Sequence, residues 1–167
     1  RFTDAIREIG VTFETAPAQD TTSTARCLIF VTPDAQRTML TYLGTCVELG
    51  PRDIDADMVA DAQITYLEGY LWDPPEAKEA FIRAATIAHE AGNKVSLSLS
   101  DAFCVDRHRD DFLQLLEGHV DILFANEDEI TSLYQVDEFD DALQYVRGHC
   151  EIAALTRSEN GSVIVSG

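Results

Sequence analysis

The sequence predicts an α/β fold in which a doubly wound, mostly parallel sheet carries a small β-rich lid. In the second half of the chain, short apolar runs alternate with helical patterns, as in successive βαβ units. Residues 11–43 instead contain β-prone runs joined by turn-forming residues. The 167 residues are 46% hydrophobic and 25% charged, which are ordinary values for one globular domain.

The N-terminal quarter of the chain contains one helical pattern and three β-prone runs. The helical pattern ends at Gly10, and the last two β-prone runs are joined by turn-forming residues around Pro33. In chain order the predicted elements are a helix over residues 2–9, strands over 11–14 and 25–31, a turn over 33–36 and a strand over 37–43. We therefore expect a lid at residues 11–43, with residues 1–10 and 44–167 in the α/β core.

The α/β core is predicted from apolar runs separated by helices. The clearest helices extend from Pro75 to Ala91 and from Asp106 to Glu117, and the first has Gly92 after its end. The predicted strands cover residues 64–67, 95–99, 122–125, 152–156 and 163–165. Helices that connect parallel strands are expected on both faces of such a sheet. Because ligands bind beyond the carboxyl ends of the strands, the residues that follow each strand are the candidates for function.

Charge and cysteine usage limit the partners and the compartment. The chain has 12 Lys and Arg against 30 Asp and Glu, a net charge of -18 that repels nucleic acids and anionic lipid surfaces. No apolar run approaches the roughly 20 residues needed to cross a bilayer. The four cysteines have neither C-x-x-C spacing nor histidines at metal-ligand spacing, which indicates free thiols in a reducing cytoplasm. We expect a cytoplasmic protein without a nucleic-acid or membrane partner.

Asn126 directly follows a predicted strand and opens a helical pattern that contains Glu129. An amide and a carboxylate in the first turn of a helix can face one cleft and hold Mg²⁺, often through water. The same residues are typical of an Asn N-cap followed by acidic residues that stabilise the helix dipole. The spacing by itself favours the helix-cap interpretation and leaves the metal interpretation open.

Residues 156–162 join two predicted strands and are too few for a helix. Hydroxyl groups at Thr156 and Ser158, exposed backbone N–H groups and Gly161 can together receive a phosphate, and Arg157 can add charge. A hairpin turn with Asn160 and Gly161 at positive φ is the alternative. The two interpretations are compatible.

Several further residues are candidates for contact with a substrate. Arg37 begins the second lid strand, where an arginine can neutralise charge during phosphoryl transfer or can simply be a surface residue. Tyr70, Trp72 and Phe103 follow two core strands and can either enclose a flat ligand or pack in the core. Alternate residues of the second lid strand share one face: Met39, Thr41 and Leu43. The histidines have no Ser or Cys partner that suggests a catalytic triad.

Taken in chain order, these segments match a set of family motifs. Residues 22–27 and 34–38 look like lid strands, and residues 66–70 look like a central-strand motif. Asn126 and Glu129 form an N-x-x-E pattern, and residues 156–161 resemble T-x-G-x-x-G with Ser158 in place of the first glycine. The ordered set resembles the PfkB carbohydrate and nucleoside kinase family, in its adenosine-kinase-like branch. The resemblance covers almost the whole chain and implies a ribokinase-like fold.

The resemblance implies an ATP-dependent phosphotransferase that uses Mg²⁺ and acts on a hydroxyl of a sugar or of a nucleoside such as adenosine. Asn126 and Glu129 would organise Mg²⁺, through water, and the ATP phosphates. Thr156, Ser158 and Gly161 would border the nucleotide, and Arg37 would clamp the transferred phosphate. The implied acceptor contacts are Met39, Thr41, Leu43, Tyr70 and Phe103.

The resemblance also implies segments outside this sequence. A glycine pair with an acidic residue should precede residue 1, and a G-A-G-D segment with the catalytic Asp should follow residue 167. We therefore expect an internal fragment that does not catalyse phosphoryl transfer alone. The alternative is a non-catalytic nucleotide-binding or sugar-binding module, or one that forms a homodimer through the lid. A nicotinamide-binding fold is disfavoured because no G-x-G-x-x-G follows a predicted strand.

Overall fold

The computed structural model describes residues 2–19 and 22–166. The chain forms two compact units, one ending at Val47 and the other beginning at Glu48. The first unit includes the N-terminal helix, which the sequence analysis assigned to the α/β core. The predicted domain boundaries at residues 11 and 43 thus stay a prediction about the whole protein.

The first unit contains a helix and a β-hairpin. Helix α1 is Phe2–Glu8, strand β1 is Arg26–Val31 and strand β2 is Arg37–Tyr42. The strands pair antiparallel, with Leu28 opposite Leu40. In the turn between them, Ala35 has φ of 63° and its N–H donates to the carbonyl of Thr32 at 2.9 Å. The predicted helix, hairpin and turn are confirmed, with strand ends that shift by one residue.

The predicted edge strand at residues 11–14 is wrong, because no strand forms in the described residues 11–19. The carbonyl of Phe13 instead accepts hydrogen bonds from Nε and Nη2 of Arg7, at 2.9 and 2.5 Å. The rings of Phe2 and Phe13 meet edge to face at 5.6 Å. The Arg7 side chain and the contact between Phe2 and Phe13 thus hold this segment in place. The alternating sequence pattern had instead indicated a strand paired within a sheet.

The second unit is built on a five-stranded sheet. Its elements are α2 (Ala56–Asp61), β3 (Ile64–Glu68), α3 (Pro75–Glu90), β4 (Lys94–Ser98), α4 (Ala102–Gly118), β5 (Ile122–Asn126), α5 (Glu127–Tyr134), α6 (Phe139–Val146), β6 (Ile152–Thr156) and β7 (Ser162–Ser166). The strand order is β3-β4-β5-β6-β7, in which β3 to β6 are parallel and β7 is antiparallel to β6. The predicted mostly parallel α/β fold with a small separate β sheet is confirmed.

One face of this sheet holds the hydrophobic core. Leu97, Leu123 and Leu155 are fully buried on it, whereas Tyr66 and Phe124 point to the other face and are exposed. The strand order follows the chain order, and right-handed crossovers therefore place all the connecting helices on the same face. Among the described residues, helices thus cover one face of the sheet, whereas the sequence analysis expected cover on both. None of the described helices is both long and apolar enough to cross a membrane.

Candidate active site at the carboxyl ends of the strands

The carboxyl ends of β3 and β4 carry a connected hydrogen-bond network. Ser100 Oγ donates to Glu68 Oε1 and accepts from the N–H of Tyr70 at 3.1 Å. The hydroxyl of Tyr66 donates to the other oxygen of Glu68 at 2.6 Å. Ser100 has φ of 71°, and left-handed backbone costs about 1–2 kcal/mol for residues with a Cβ. Strain of this kind is typical of functional sites.

Gly69 lets the chain after β3 pass close to the end of β4. A Cβ at this position would lie 2.7 Å from the carbonyl oxygen of Ser98 and 2.8 Å from that of Leu99. Because both obstacles are backbone atoms, neither can rotate away. Glycine therefore fixes the path of the 3₁₀ turn Gly69–Trp72, which carries Tyr70.

Two aromatic side chains project from these neighbouring strand ends. Tyr70 is 53% exposed and Phe103, in the first turn of α4, is 76% exposed. Asp101 caps α4 by accepting from the N–H groups of Phe103 at 2.6 Å and Cys104 at 3.2 Å. Partial burial raises the pKa of Tyr70, and the charge of Asp101 raises it further. The structure thus places Tyr70 and Phe103 at the carboxyl edge of the sheet, free of the core, whereas Trp72 is buried and packs in the core against Phe81 and Phe112.

Asn126 and Glu129 form a reciprocal cap at the start of α5. The N–H of Glu129 donates to Asn126 Oδ1 at 2.8 Å, and Glu129 Oε2 accepts from the N–H of Asn126 at 2.9 Å. Asn126 Nδ2 also donates to Glu129 Oε1 at 2.7 Å. The helix-cap interpretation is confirmed, and the carboxylate is held in one orientation.

The charge around Glu129 suits a cation. Its side chain is 5% exposed, and burial raises its pKa, as do the negative charges of Asp101 and Glu68. A nearby positive charge would favour the ionised carboxylate and so oppose both effects on the pKa. Among residues 2–19 and 22–166, no group of three or more His, Cys, Asp or Glu can hold a metal ion directly. The Asn126 amide and the Glu129 carboxylate carry oxygen atoms, the ligand type that hard divalent cations take.

The β6–β7 connection lies beside Asn126, because Thr156 pairs with Asn126 in the sheet. A 3₁₀ turn over Ser158–Asn160 makes the connection, and the N–H of Gly161 donates to the Ser158 carbonyl at 3.2 Å. Positive φ occurs at Ser158 (48°) and Gly161 (85°) but not at Asn160. The connection is a hairpin, as the alternative interpretation expected, because β6 and β7 pair antiparallel. The predicted positive φ at Asn160 is wrong, since the loop is longer than two residues and its residues of positive φ lie three positions apart.

Arg157 already has a partner for its charge. Its Nη2 donates to Glu127 Oε1 at 2.8 Å, and its guanidinium lies 4.3 Å from the ring centroid of Phe139. The hydrogen bond to Glu127 raises the pKa of Arg157. This arginine therefore anchors the β6–β7 connection to α5 and α6. Thr156 is the last residue of β6, and Ser158 and Gly161 lie within the connection.

The lid residues lie in the first unit. Arg37, Met39 and Thr41 occupy alternate positions of β2 and share one face, and Leu43 follows the strand. Thr41 Oγ1 donates to Cys27 Sγ across the hairpin at 3.3 Å. Arg37 is exposed and makes no hydrogen bond or ion pair with any residue that the structure describes.

Glu68 and Ser100 are site residues to which the sequence analysis assigned no role. Both stand where a strand ends, and Glu68 also lies in the central-strand motif over residues 66–70. Their hydrogen bond joins residues 32 positions apart. Spacing along the chain does not reveal such a pair.

Comparison with known proteins identifies the family. The model of the pfkB family carbohydrate kinase matches residues 1–167. This chain belongs to the PfkB family. The PfkB chain is 56% identical to a probable sugar kinase from Rhizobium etli CFN 42 and 53% identical to an adenosine kinase from Sinorhizobium meliloti, each with a TM-score of 0.94. Each match covers 99% of this chain and 51% of the other.

A more distant structure shares the fold. A putative ribokinase II from E. coli, solved with ATP and Mg²⁺, is 20% identical with a TM-score of 0.73, and the match covers 84% of this chain and 47% of that one. The PfkB chain thus spans about half the length of the relatives it matches. The sugar kinase and the adenosine kinase confirm the resemblance read from the ordered motifs.

Proposed function

We propose that the whole protein that carries this PfkB chain transfers the γ-phosphoryl group of ATP to a hydroxyl of a sugar or nucleoside. Adenosine is the first candidate acceptor. The observation that carries the proposal is the 53% identity, over 99% of the chain, to an adenosine kinase. The arrangement of side chains at the carboxyl edge of the sheet supports the same chemistry.

Tyr70 and Phe103 are proposed as walls of the acceptor site. Both are largely exposed and stand on adjacent strand ends, where ligands bind in open α/β sheets. An aromatic face suits a purine ring, which favours a nucleoside over a sugar. The lid would contribute Met39, Thr41 and Leu43 as further acceptor contacts.

Asn126 and Glu129 are proposed to bind the counter-ion of ATP. ATP would supply the phosphoryl group, and Mg²⁺ would neutralise the charge of its phosphates. The buried carboxylate of Glu129, which other acids face, would hold the outer waters of the hydrated ion. Thr156, Ser158 and Gly161 would border the nucleotide with hydroxyl and backbone groups.

Arg37 is proposed to stabilise the transferred group. Phosphoryl transfer develops charge on the moving phosphate, and a positioned guanidinium binds such an anion with two donors. Arg37 is exposed and has no partner among the described residues, so its donors are available. We assign it the phosphate-clamp role and no proton transfer.

A second proposal concerns self-association. Every residue of β1 and β2 is exposed, and the exposed apolar side chains are Leu28, Ile29, Phe30, Val31, Met39, Leu40 and Tyr42. A two-stranded hairpin is marginally stable alone, and apolar surface of this kind is typical of an interaction site. We propose that the lid pairs with the lid of a second copy. Sedimentation should show a dimer with and without ATP, and a monomer in both conditions would exclude it.

The test of the catalytic proposal is an ADP-release assay on the whole protein with adenosine, other nucleosides and a panel of sugars. We expect turnover that requires ATP, Mg²⁺ and one of these acceptors. Reactions without acceptor are the control for ATP hydrolysis. If calorimetry shows that the acceptor binds but no turnover is detected, the protein is a binding module and not a kinase.

A further inference from the structure

Ser100 has a left-handed backbone conformation at the point where β4 passes into α4. Its φ is 71°, and it follows the last residue of β4 by two positions. Residues that carry a Cβ seldom adopt this conformation, which glycine adopts without cost. The reason for a serine here should therefore lie in the contacts of its hydroxyl.

The Ser100 hydroxyl connects two neighbouring strand ends. It donates to Oε1 of Glu68, the last residue of β3, and accepts from the N–H of Tyr70 at 3.1 Å. A hydroxyl has one donor and two acceptor lone pairs, so a single serine makes both contacts at once. Neither alanine nor glycine can make either of them. One side chain thus holds the end of β3 and the main chain of the turn that follows it.

The carboxylate of Glu68 is held from a second side. Its Oε2 accepts from the hydroxyl of Tyr66 at 2.6 Å. Burial raises the pKa of Tyr66, and the hydrogen bond to Glu68 raises it further, so the phenol stays a donor. Each oxygen of the carboxylate therefore has its own hydroxyl donor, and the carboxylate presents a fixed acceptor to Ser100.

The turn after β3 lies directly against this hydroxyl. A Cβ on Gly69 would lie 2.9 Å from Ser100 Oγ, in addition to its contacts with two carbonyl oxygens. No side chain fits between the turn and the serine. Without the hydroxyl, the N–H of Tyr70 would lose its partner in the protein and the turn would be held less firmly.

We propose that Ser100 is a positioning residue for the acceptor site. Its hydroxyl, oriented by Glu68, fixes the main chain of Tyr70 and thereby the aromatic wall that Tyr70 forms. This proposal rests on the proposed function, because Tyr70 is an acceptor wall only there. Ser100 neither touches the acceptor nor moves a proton. Its left-handed conformation directs the hydroxyl back to β3, which accounts for the backbone cost at this position.

The kinetic test is Ser100→Ala in the whole protein. We expect the acceptor KM to rise about three- to tenfold, on the scale of one lost hydrogen bond, while kcat and the KM for ATP change by less than about twofold. Ser132→Ala is the matched control, because it removes another serine hydroxyl that donates to a carboxylate, that of Asp106, at 2.7 Å. That control should keep the acceptor KM. A general loss of packing in Ser100→Ala would instead change kcat and both KM values.

Ser100→Gly separates the hydroxyl from the backbone strain. Glycine adopts positive φ freely, so this variant should unfold at a higher denaturant concentration than Ser100→Ala. Because both variants lack the hydroxyl, we expect both to have a raised acceptor KM in spite of their different stabilities. If Ser100→Gly has the acceptor KM of the unmodified protein, the hydroxyl does not position Tyr70 and the proposal is wrong.

Substitutions of Glu68 test its orienting role. Glu68→Ala should raise the acceptor KM as Ser100→Ala does. Glu68→Gln should recover most of this loss, because its amide oxygen still accepts from Ser100 and its amide nitrogen can donate to the Tyr66 oxygen. If Glu68→Gln instead lowers kcat and leaves the acceptor KM unchanged, the carboxylate takes part in the chemistry and its orienting role is wrong.

A further readout does not need activity. In the ligand-free protein, hydrogen exchange measured on a peptide that contains Tyr70 reports the hydrogen bond from its N–H to Ser100. We expect this amide to exchange about three- to tenfold faster in Ser100→Ala and Ser100→Gly than in the unmodified protein or Ser132→Ala. Equal exchange rates in all four proteins would overturn the proposal.

The outcomes separate this inference from the proposed function. If the whole protein neither phosphorylates nor binds any nucleoside or sugar, the proposed function fails and the acceptor part of this inference fails with it. The exchange rate of the Tyr70 amide still tests the contact with Ser100 in that case. If the acceptor is phosphorylated but Ser100→Ala keeps the acceptor KM, the inference alone is overturned.

Discussion

Asn126 and Glu129 hold each other through three hydrogen bonds at the point where β5 passes into α5. The contact is a helix cap, yet it fixes a buried carboxylate next to the carboxyl ends of the strands. The two interpretations of the N-x-x-E pattern are therefore not exclusive, because the cap supplies the rigidity that an ion site needs. Because the ionised carboxylate of Glu129 is negatively charged, the ligand that it can bind is a cation.

We expect Glu129→Gln to raise the Mg²⁺ concentration for half-maximal activity about tenfold in the whole protein, because it weakens an outer-shell contact to the ion. Glutamine has one acceptor oxygen, so it keeps only one of the two hydrogen bonds that the carboxylate accepts from Asn126, and thermal unfolding measures what this loss costs the fold. Asp128→Asn is the control, because it removes an exposed carboxylate from the same helical turn. If the Mg²⁺ titration is the same for the unmodified protein and both variants, Glu129 acts only as a helix cap.

The stability effect of Glu129 should depend on pH. Its pKa is raised in the folded protein, so its stabilising contribution is greatest at low pH and declines as pH rises through the folded pKa. We therefore expect the unfolding free energy of Glu129→Gln, minus that of the unmodified protein, to increase between about pH 4 and 7. Urea unfolding at several pH values measures this difference. A decrease over the same range would show that the ionised carboxylate stabilises the fold.

Arg37→Ala should lower kcat of the whole protein by about ten- to a thousandfold, as the loss of other transition-state donors does. The melting temperature should not change, because Arg37 has no partner among the described residues. Arg26→Ala is a matched control on the facing strand, where the Arg26 side chain donates to Ser23 Oγ at 2.9 Å. If the two variants have equal kcat, Arg37 takes no part in phosphoryl transfer.

Ser158→Gly should stabilise the protein by about 0.5–1 kcal/mol. Ser158 has φ of 48°, which a residue with a Cβ adopts at a cost and glycine adopts freely. Glu159→Gly, at the next position and without positive φ, should instead lower stability by a similar amount. Denaturant unfolding compares the three. If Ser158→Gly lowers stability as Glu159→Gly does, the left-handed conformation of Ser158 is not the source of strain.

Gly69→Ala should lower stability by about 1–3 kcal/mol and raise the acceptor KM, because its Cβ meets backbone oxygens at 2.7 and 2.8 Å and displaces Tyr70. Gly118→Ala is the control, since a Cβ there meets no atom within 4 Å. Thermal unfolding and acceptor kinetics measure both effects. An unchanged acceptor KM in Gly69→Ala would show that Tyr70 does not line the acceptor site.

Local pattern predicted the elements of the core well. Pro75 and Gly92 bracket α3, and the runs at Ile122 and Ile152 begin strands at those residues. These predictions hold because burial of an apolar stripe and the chemistry of proline and glycine act within a few residues. Val11–Glu14 has the alternation of a strand but no strand to pair with, and Arg7 takes the carbonyl of Phe13. An alternating apolar pattern therefore predicts a strand only where a second strand is available to pair with it.

The sequence by itself determined the family, the βαβ order and the positions after the strands where polar residues gather. Only the tertiary structure decided which of those residues meet: Ser100 with Glu68, and Arg157 with Glu127. It also decided that Ser158 and Gly161, rather than Asn160, take positive φ. The physical reason is range, since propensity and capping depend on neighbours in the chain, whereas hydrogen bonds, charge and backbone strain depend on atoms that the fold brings together.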